Sequence, residues 1–144
     1  YFFKKSNFFT ISDDSGLCVD CLNGQPGIHS ARWAKKHGGF KQSMEKIITL
    51  VRNKNKNKKI KNTKAKFVCS LTFSFSAIKK ITTTGIIHGN ISEKILGRNG
   101  FGYDPFFIPK GMTLTFGQMN KKKKMLLDHR FIAFKKLKKI INIL

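Results

Sequence analysis

Acidic residues are scarce. Seven Asp and Glu stand against twenty-nine Lys and Arg, a formal net charge of +22 in 144 residues, so the position of each carboxylate carries information. Cysteine is scarce too: three are present, an odd number that excludes a disulfide framework and makes a reducing compartment the default. Cys18 and Cys21 form a C-x-x-C spacing. No second Cys pair or close His pair completes a zinc set. On a strand, residues three apart also point to opposite faces. No apolar run reaches the length that spans a bilayer, and Tyr1 to Lys5 carries no signal-peptide pattern. The chain does not begin with Met, which places the expected natural start further upstream.

The chain has the size of one domain. Its 40% hydrophobic residues, with fourteen Phe, argue for a packed core rather than disorder. The charge invites a nucleic-acid or anionic-membrane reading. Against it, Lys, Asn, Ile and Phe dominate throughout, and the aromatics do not alternate with the basic residues as a stacking platform would. The field would still draw in an anionic substrate. No sequence-specific nucleic acid and no membrane are expected as partners.

Phe8 to Asp13 reads as a strand running into an acidic turn, Asp13 to Gly16. Leu17 to Leu22 reads as a second short strand, and Pro26 suits the first turn of a helix running to about Ala34. Met44, Ile47, Ile48 and Val51 are spaced three and four apart, the buried stripe of another helix. Asn53 to Lys64 is a Lys/Asn-rich loop. Phe67, Cys69, Leu71, Phe73 and Phe75 then alternate with small polar residues, the clearest strand signal in the chain. Ile81 to Ile91 is its expected antiparallel partner, across a turn around Ala77 to Lys80. A Gly-rich loop, Gly97 to Gly102, leads to a strand at Phe106 to Ile108 ended by Pro109. A last helix is expected to bury Phe131, Phe134, Leu137, Ile141 and Leu144. The whole reads as a single α/β domain over residues 1–144, a mixed β-sheet with flanking helices.

Three constellations carry chemistry. Asp13 and Asp14 are adjacent at a strand end, so one carboxylate can enter a cleft while the other anchors the turn. A carboxylate there can bind a hard cation or take a proton from water, with Ser15 and the Gly16 amide available to a phosphate. Gly100 to Pro105 combines two glycines that admit a close ligand, the aromatics Phe101 and Tyr103, and Asp104 as acceptor. It lacks the full dinucleotide-binding spacing. Asp128 suits a helix N-cap, which puts His129 and Arg130 in the first turn, where cations oppose the helix dipole. Such a pair can read a purine carbonyl. An ordinary Asx turn, a loop with a core aromatic and a basic helix start are the bland alternatives for the three.

Taken together and in this order, the segments resemble the inosine triphosphate pyrophosphatase family, the non-canonical purine NTP pyrophosphatases. The matching text is Ile11-Ser-Asp-Asp-Ser-Gly-Leu17, Asp20-Cys-Leu-Asn-Gly-Gln-Pro-Gly27, Ser30-Ala-Arg32, Lys66-Phe-Val-Cys69, Gly100 to Pro105, Thr115-Phe116 and His129-Arg130. The resemblance implies Mg²⁺-dependent cleavage of dITP, ITP or XTP to the monophosphate and pyrophosphate, by a cytoplasmic homodimer acting in nucleotide-pool sanitation. It implies Asp14 as general base and metal-associated carboxylate. Ser15, Phe101, Gly102, Tyr103, Asp104, Lys124, His129 and Arg130 then become substrate contacts, all expected to converge with Asp14 on one cleft. Three further lysines precede Lys124, so which of Lys121 to Lys124 meets substrate stays open. The family's opening strand, its phosphate loop and a metal-binding Glu find no match, and the expectation is an N-terminally truncated domain. Gln118 stands where an acid is common, and Asp128 where a Ser is usual, though both residues cap helices. The alternatives from other classes are a basic nucleic-acid-binding protein and a non-catalytic remnant of the pyrophosphatase.

Overall fold

A computed structural model describes residues 9–76 and 78–142. The elements in chain order are β1 (Thr10–Val19), a 3-10 turn (Asp20–Leu22), β2 (Pro26–Gly27), α1 (Ser30–Lys36), α2 (Phe40–Asn55), β3 (Lys64–Ser74) and β4 (Lys80–Ile91). A second 3-10 turn (Asp104–Phe106), β5 (Phe107–Pro109), α3 (Lys121–Leu127) and α4 (His129–Ile141) follow. The expectations at Phe8, Ala77 and Leu144 lie outside the described residues.

The alternation at Phe67, Cys69 and Leu71 becomes the buried face of β3, and the expected hairpin with β4 runs from Lys64 opposite Asn90 to Ser74 opposite Lys80. The sheet order is β2-β1-β3-β4-β5. Every described pairing is antiparallel, where the sequence suggested a mixed sheet. The α/β class stands.

Two local readings are corrected at β1. Asp13 to Gly16 is not a turn, and Leu17 does not start a second strand. Polar turn-formers are held extended because β3 offers a ladder over the whole length, from Thr10 opposite Ser74 to Val19 opposite Ala65. Pro26 is not in a helix either: it pairs with Cys18 across β2, and α1 starts at Ser30. There the Ser30 hydroxyl accepts from the Leu17 amide at 2.9 Å and donates to the Gly27 carbonyl at 2.7 Å, tying α1 to both strands.

One face of the sheet carries the core. Leu17, Val19, Ala65 and Phe67 pack with Met44, Ile47 and Val51 of α2 as its stripe anticipates, together with Phe106, Phe107 and Phe116. Burying each such side chain is worth roughly 1.5–3 kcal/mol. The alternate residues of β1 and β4, including Ser12, Asp14, Thr82, Thr84 and His88, are exposed. The Lys/Asn-rich segment is partly ordered: α2 continues to Asn55, whose buried amide joins the Val51 carbonyl to the backbone of Asn62.

α4 buries Leu137 of its expected stripe but is otherwise rotated from it. His129, Ala133 and Leu137 are buried, whereas Phe134 is 49% exposed and Ile141 37%. The cause lies opposite, at Gly85 in β4: a methyl group there would run into the His129 carbonyl and the Ala133 amide. Lacking it, the helix backbone lies directly on the strand, and the small Ala133 is the residue that fits. The Thr83 hydroxyl donates to the Ala133 carbonyl at 2.9 Å and fixes the contact.

Candidate active site

A cleft opens between the start of α4, the loop before the second 3-10 turn, and β1. Ser15, Leu17, Ser30, Phe40, Phe67 and the segment 101–104 line it, with His129 and Arg130.

The floor of the cleft is built by α4. Asp128 is the N-cap, as its sequence context indicates: Oδ1 accepts from the Phe131 amide at 2.9 Å. This sets His129 flat against Phe67, ring centroids 4.8 Å apart and planes within 10°. Its imidazole is 2% exposed. Burial, with the Arg130 charge beside it, lowers the pKa from 6.5 to about 4, so the ring is neutral at ordinary pH. Arg130 Nη1 lies 3.3 Å from His129 Nε2. A guanidinium can only donate, so Nε2 accepts and the ring proton sits on Nδ1. That Nδ1–H is buried and has no partner among the described residues, an arrangement rare in folded proteins.

Of the two adjacent aspartates, Asp13 belongs to this corner. Its Oδ2 accepts from Arg130 Nε at 2.9 Å and from the Cys69 thiol at 3.4 Å, while Oδ1 accepts from the Ser15 hydroxyl at 2.8 Å. Burial alone would raise its pKa, but Ser15, Arg130 and Cys69 together hold it below the usual carboxylate value. Asp14 is the exception to the expected convergence. It is exposed, on the alternate face of β1 from Asp13 and Ser15, and does not line the cleft.

The glycine-containing loop divides its labour. Phe101 stands 69% exposed at the cleft mouth, its ring centroid 5.3 Å from that of Phe40 in an edge-to-face arrangement. Tyr103 faces inward and is 3% exposed. Its hydroxyl donates to the Ser30 carbonyl at 3.1 Å and so accepts from the Ser43 hydroxyl at 2.7 Å. Only one of the two aromatics is thus free to stack on a ligand. Asp104 is buried as well and accepts from the Phe101 amide. Gly100, at φ 84°, has no room for a side chain because the Asp104 carboxylate occupies that space. Asp104 therefore shapes the loop rather than presenting a free acceptor. Burial keeps its pKa raised in spite of the Phe101 amide and Lys124.

Among the four consecutive lysines, Lys124 is the one joined to the site: Nζ lies 3.3 Å from Asp104 Oδ2 and 3.0 Å from Asp128 Oδ2. With Phe101, Phe116, Met119 and Lys121 it also lines an adjoining hollow. α3, which carries it, has no counterpart in the sequence reading. That reading left open which of Asp13 and Asp14 enters the cleft, and it named neither Phe40 nor Phe67 as a site residue. For Asp13 a signal existed: it shares a strand face with Ser15 and Leu17 by period two.

The Cys18-x-x-Cys21 pair places one thiol on β1 and the other in the 3-10 turn, both free. Among the described residues no group of three His, Cys, Asp or Glu side chains could hold a metal ion. No helix among them is long and apolar enough to cross a membrane.

Curated relatives match most of this chain. A curated dITP/XTP pyrophosphatase of Campylobacter jejuni is 39% identical over 141 residues, covering 98% of this chain and 68% of the relative. One from Clostridium perfringens is 40% identical over 134 residues, 93% of this chain and 64% of that protein. The chain thus spans about two thirds of the length of these relatives. The solved Staphylococcus aureus Ham1 protein superposes with a TM-score of 0.82 at 35% identity, over 96% of this chain and 69% of that one. A HAM1 protein from Coxiella burnetii gives 0.86 at 25% identity, over 97% and 70%. The Ham1 family model matches residues 1–140, and with the resemblance borne out over so much of the sequence, the chain belongs to the Ham1 family.

Proposed function

We propose that the protein hydrolyses non-canonical purine nucleoside triphosphates, dITP, ITP and XTP, to the monophosphate and pyrophosphate. The observation that carries this reading is the His129–Arg130 pair in the lining of the cleft, with the buried Nδ1–H of His129 without a partner among the described residues. Hypoxanthine and xanthine present a carbonyl acceptor at C6. Adenine presents an amino donor, which would meet only donors here and leave them unpaired. Phe101 offers the base an exposed aromatic face, and Ser15 and Gly16 offer polar groups along β1. The names of the relatives, dITP/XTP pyrophosphatases, support the same substrates.

Asp14 is the proposed general base and metal-associated carboxylate. Its exposure suits both roles, and unlike Asp13 it has no ion pair among the described residues. Mg²⁺ commonly takes one or two carboxylates and completes its shell with phosphates and water. Asp14 can supply one such oxygen, and the ion would supply charge neutralisation to the phosphates. Asp14 on one face of β1 and Arg130 at the other would divide the substrate, phosphates toward the first and base toward the second. Family membership supports a homodimer, and three free cysteines suit a cytoplasmic setting.

The test is pyrophosphate release from dITP in Mg²⁺, with dATP as control and Asp14→Asn alongside, together with equilibrium binding of IMP and AMP. Selective binding of IMP, and dITP turnover lost in Asp14→Asn, are expected. Equal binding of the two monophosphates would overturn the substrate assignment. Unchanged turnover in Asp14→Asn would remove its role.

A further inference from the structure

Arg130 stands between Asp13 and His129 and donates to both. Asp13 Oδ2 accepts from Arg130 Nε at 2.9 Å, and Arg130 Nη1 reaches His129 Nε2 at 3.3 Å. On the far side of the imidazole is the buried Nδ1–H, with no partner among the described residues. Asp13 and Arg130 are 33% and 44% exposed in their side chains, and an ion pair that open contributes little stability. Its consequence is orientation. Without Asp13, the long Arg130 side chain would be free to swing into solvent and Nε2 would lose its donor. The imidazole would then exchange its proton between the two nitrogens, and with the proton on Nε2 the buried Nδ1 would be an acceptor instead of a donor.

We infer that Asp13 is a specificity-determining positioning residue: through Arg130 it fixes the Nδ1–H tautomer of His129 and so makes the floor of the cleft select an acceptor on the ligand ring. The choice of tautomer is set, as in other histidine sites, by the bond the second nitrogen makes. Two further contacts aim the carboxylate: the Ser15 hydroxyl at 2.8 Å holds Oδ1, and the Cys69 thiol at 3.4 Å approaches Oδ2 from β3. Asp13 itself need not touch the ligand. It is the first aspartate of the pair, not the second, that shapes base selection, while Asp14 faces away.

The specificity half of this inference rests on the proposed 6-oxopurine reading, whereas the tautomer half does not. The experiment therefore has two readouts on the same proteins: wild type, Asp13→Ala, Asp13→Asn and Arg130→Met. Nitrogen-15 spectra of the labelled imidazoles report the His129 tautomer directly. Wild type should show a protonated Nδ1 and a bare Nε2. Asp13→Ala and Arg130→Met should show averaged nitrogens, and Asp13→Asn, which keeps an acceptor for Nε, should stay closer to wild type. Calorimetry with IMP and AMP should show the IMP preference falling about tenfold in Asp13→Ala, the equivalent of one lost hydrogen bond. A wild-type His129 protonated on Nε2, or a tautomer unmoved in both Asp13→Ala and Arg130→Met, overturns the inference. So does a full IMP preference retained by Asp13→Ala. A wild type that binds IMP and AMP equally overturns the substrate reading instead. Amide spectra of each variant separate these results from unfolding.

Discussion

Lys124 Nζ stands 3.3 Å from Asp104 Oδ2, and the two side chains are only 15% and 3% exposed. The pair pins the loop of Gly100 to Asp104 to α3, and through the second contact of Lys124, with Asp128, to the N-cap of α4. Lys124→Met keeps the aliphatic stem and removes the charge. It leaves Asp104 buried and unpaired, which should cost roughly 3–5 kcal/mol in chemical denaturation near neutral pH. Asp104 already has a raised pKa, so the folded state holds its proton more tightly than the unfolded chain. Stability from this group is greatest in acid and is lost as pH rises through the folded value. Removing Lys124 strengthens that trend, so the deficit should shrink on acidification. A deficit that grows in acid would count against the pairing.

His129 acts in the opposite sense. Its pKa falls from 6.5 to about 4 on folding, so the unfolded chain binds the proton first. Stability is fully present above about pH 6.5 and is lost as pH drops toward 4, by roughly 3 kcal/mol in total. His129→Gln should lose this component of the acid sensitivity. Unfolding free energies of both proteins between pH 7 and 4 test it, and the contribution of Asp104 cancels in the comparison. Parallel curves would mean that His129 is not held neutral.

These two titrations belong to residues that the sequence singled out, yet their settings were not legible there. Residue types and order sufficed for the loop, the N-cap at Asp128 and the His129-Arg130 pair, because each depends on local chemistry. The β3–β4 hairpin and the α2 stripe were legible for a similar reason, since periodicity is a local property. What escaped depends on distant partners. Asp13 and Asp14 must face opposite ways on any strand, but only β3 and α4 decide which of them meets Arg130. Tyr103 looks equivalent to Phe101 until Ser43 and the Ser30 carbonyl claim its hydroxyl. The acidic turn expected at Asp13 to Gly16 was overridden by the long pairing with β3.

The α4 stripe failed for a packing reason that can itself be tested. At Gly85 an added methyl would meet the His129 carbonyl and the Ala133 amide, both backbone groups that cannot rotate away. Gly85→Ala should therefore push the start of α4 off the sheet and destabilise the fold by about 1–3 kcal/mol or more. Because His129 and Arg130 ride on that turn, IMP affinity should fall with it. Thr84→Ala, one residue away on the exposed face, is the control. Equal stability in the two variants would refute the close approach.

Phe101 and Tyr103 offer the sharpest separation of ligand contact from architecture. Phe101 is 69% exposed and meets the ring of Phe40 edge to face. Truncating it should change stability by no more than about 0.5 kcal/mol, as for surface sites in general. Stacking of a base on an aromatic ring is worth roughly 1–3 kcal/mol, so Phe101→Ala should weaken IMP binding by about fivefold to a hundredfold. Tyr103→Phe reverses the pattern. It deletes a hydroxyl that serves both the Ser43 side chain, itself fully buried, and the Ser30 carbonyl. Two buried polar groups lose their partner, at a cost of about 1–3 kcal/mol. The ring stays in place against Phe40 and Phe106, so binding per folded molecule should be nearly unchanged. Denaturation midpoints and IMP titrations on the two variants form a crossed pair. If Tyr103→Phe lost affinity while keeping stability, Tyr103 would be a ligand contact after all and the division of labour within the loop would fail.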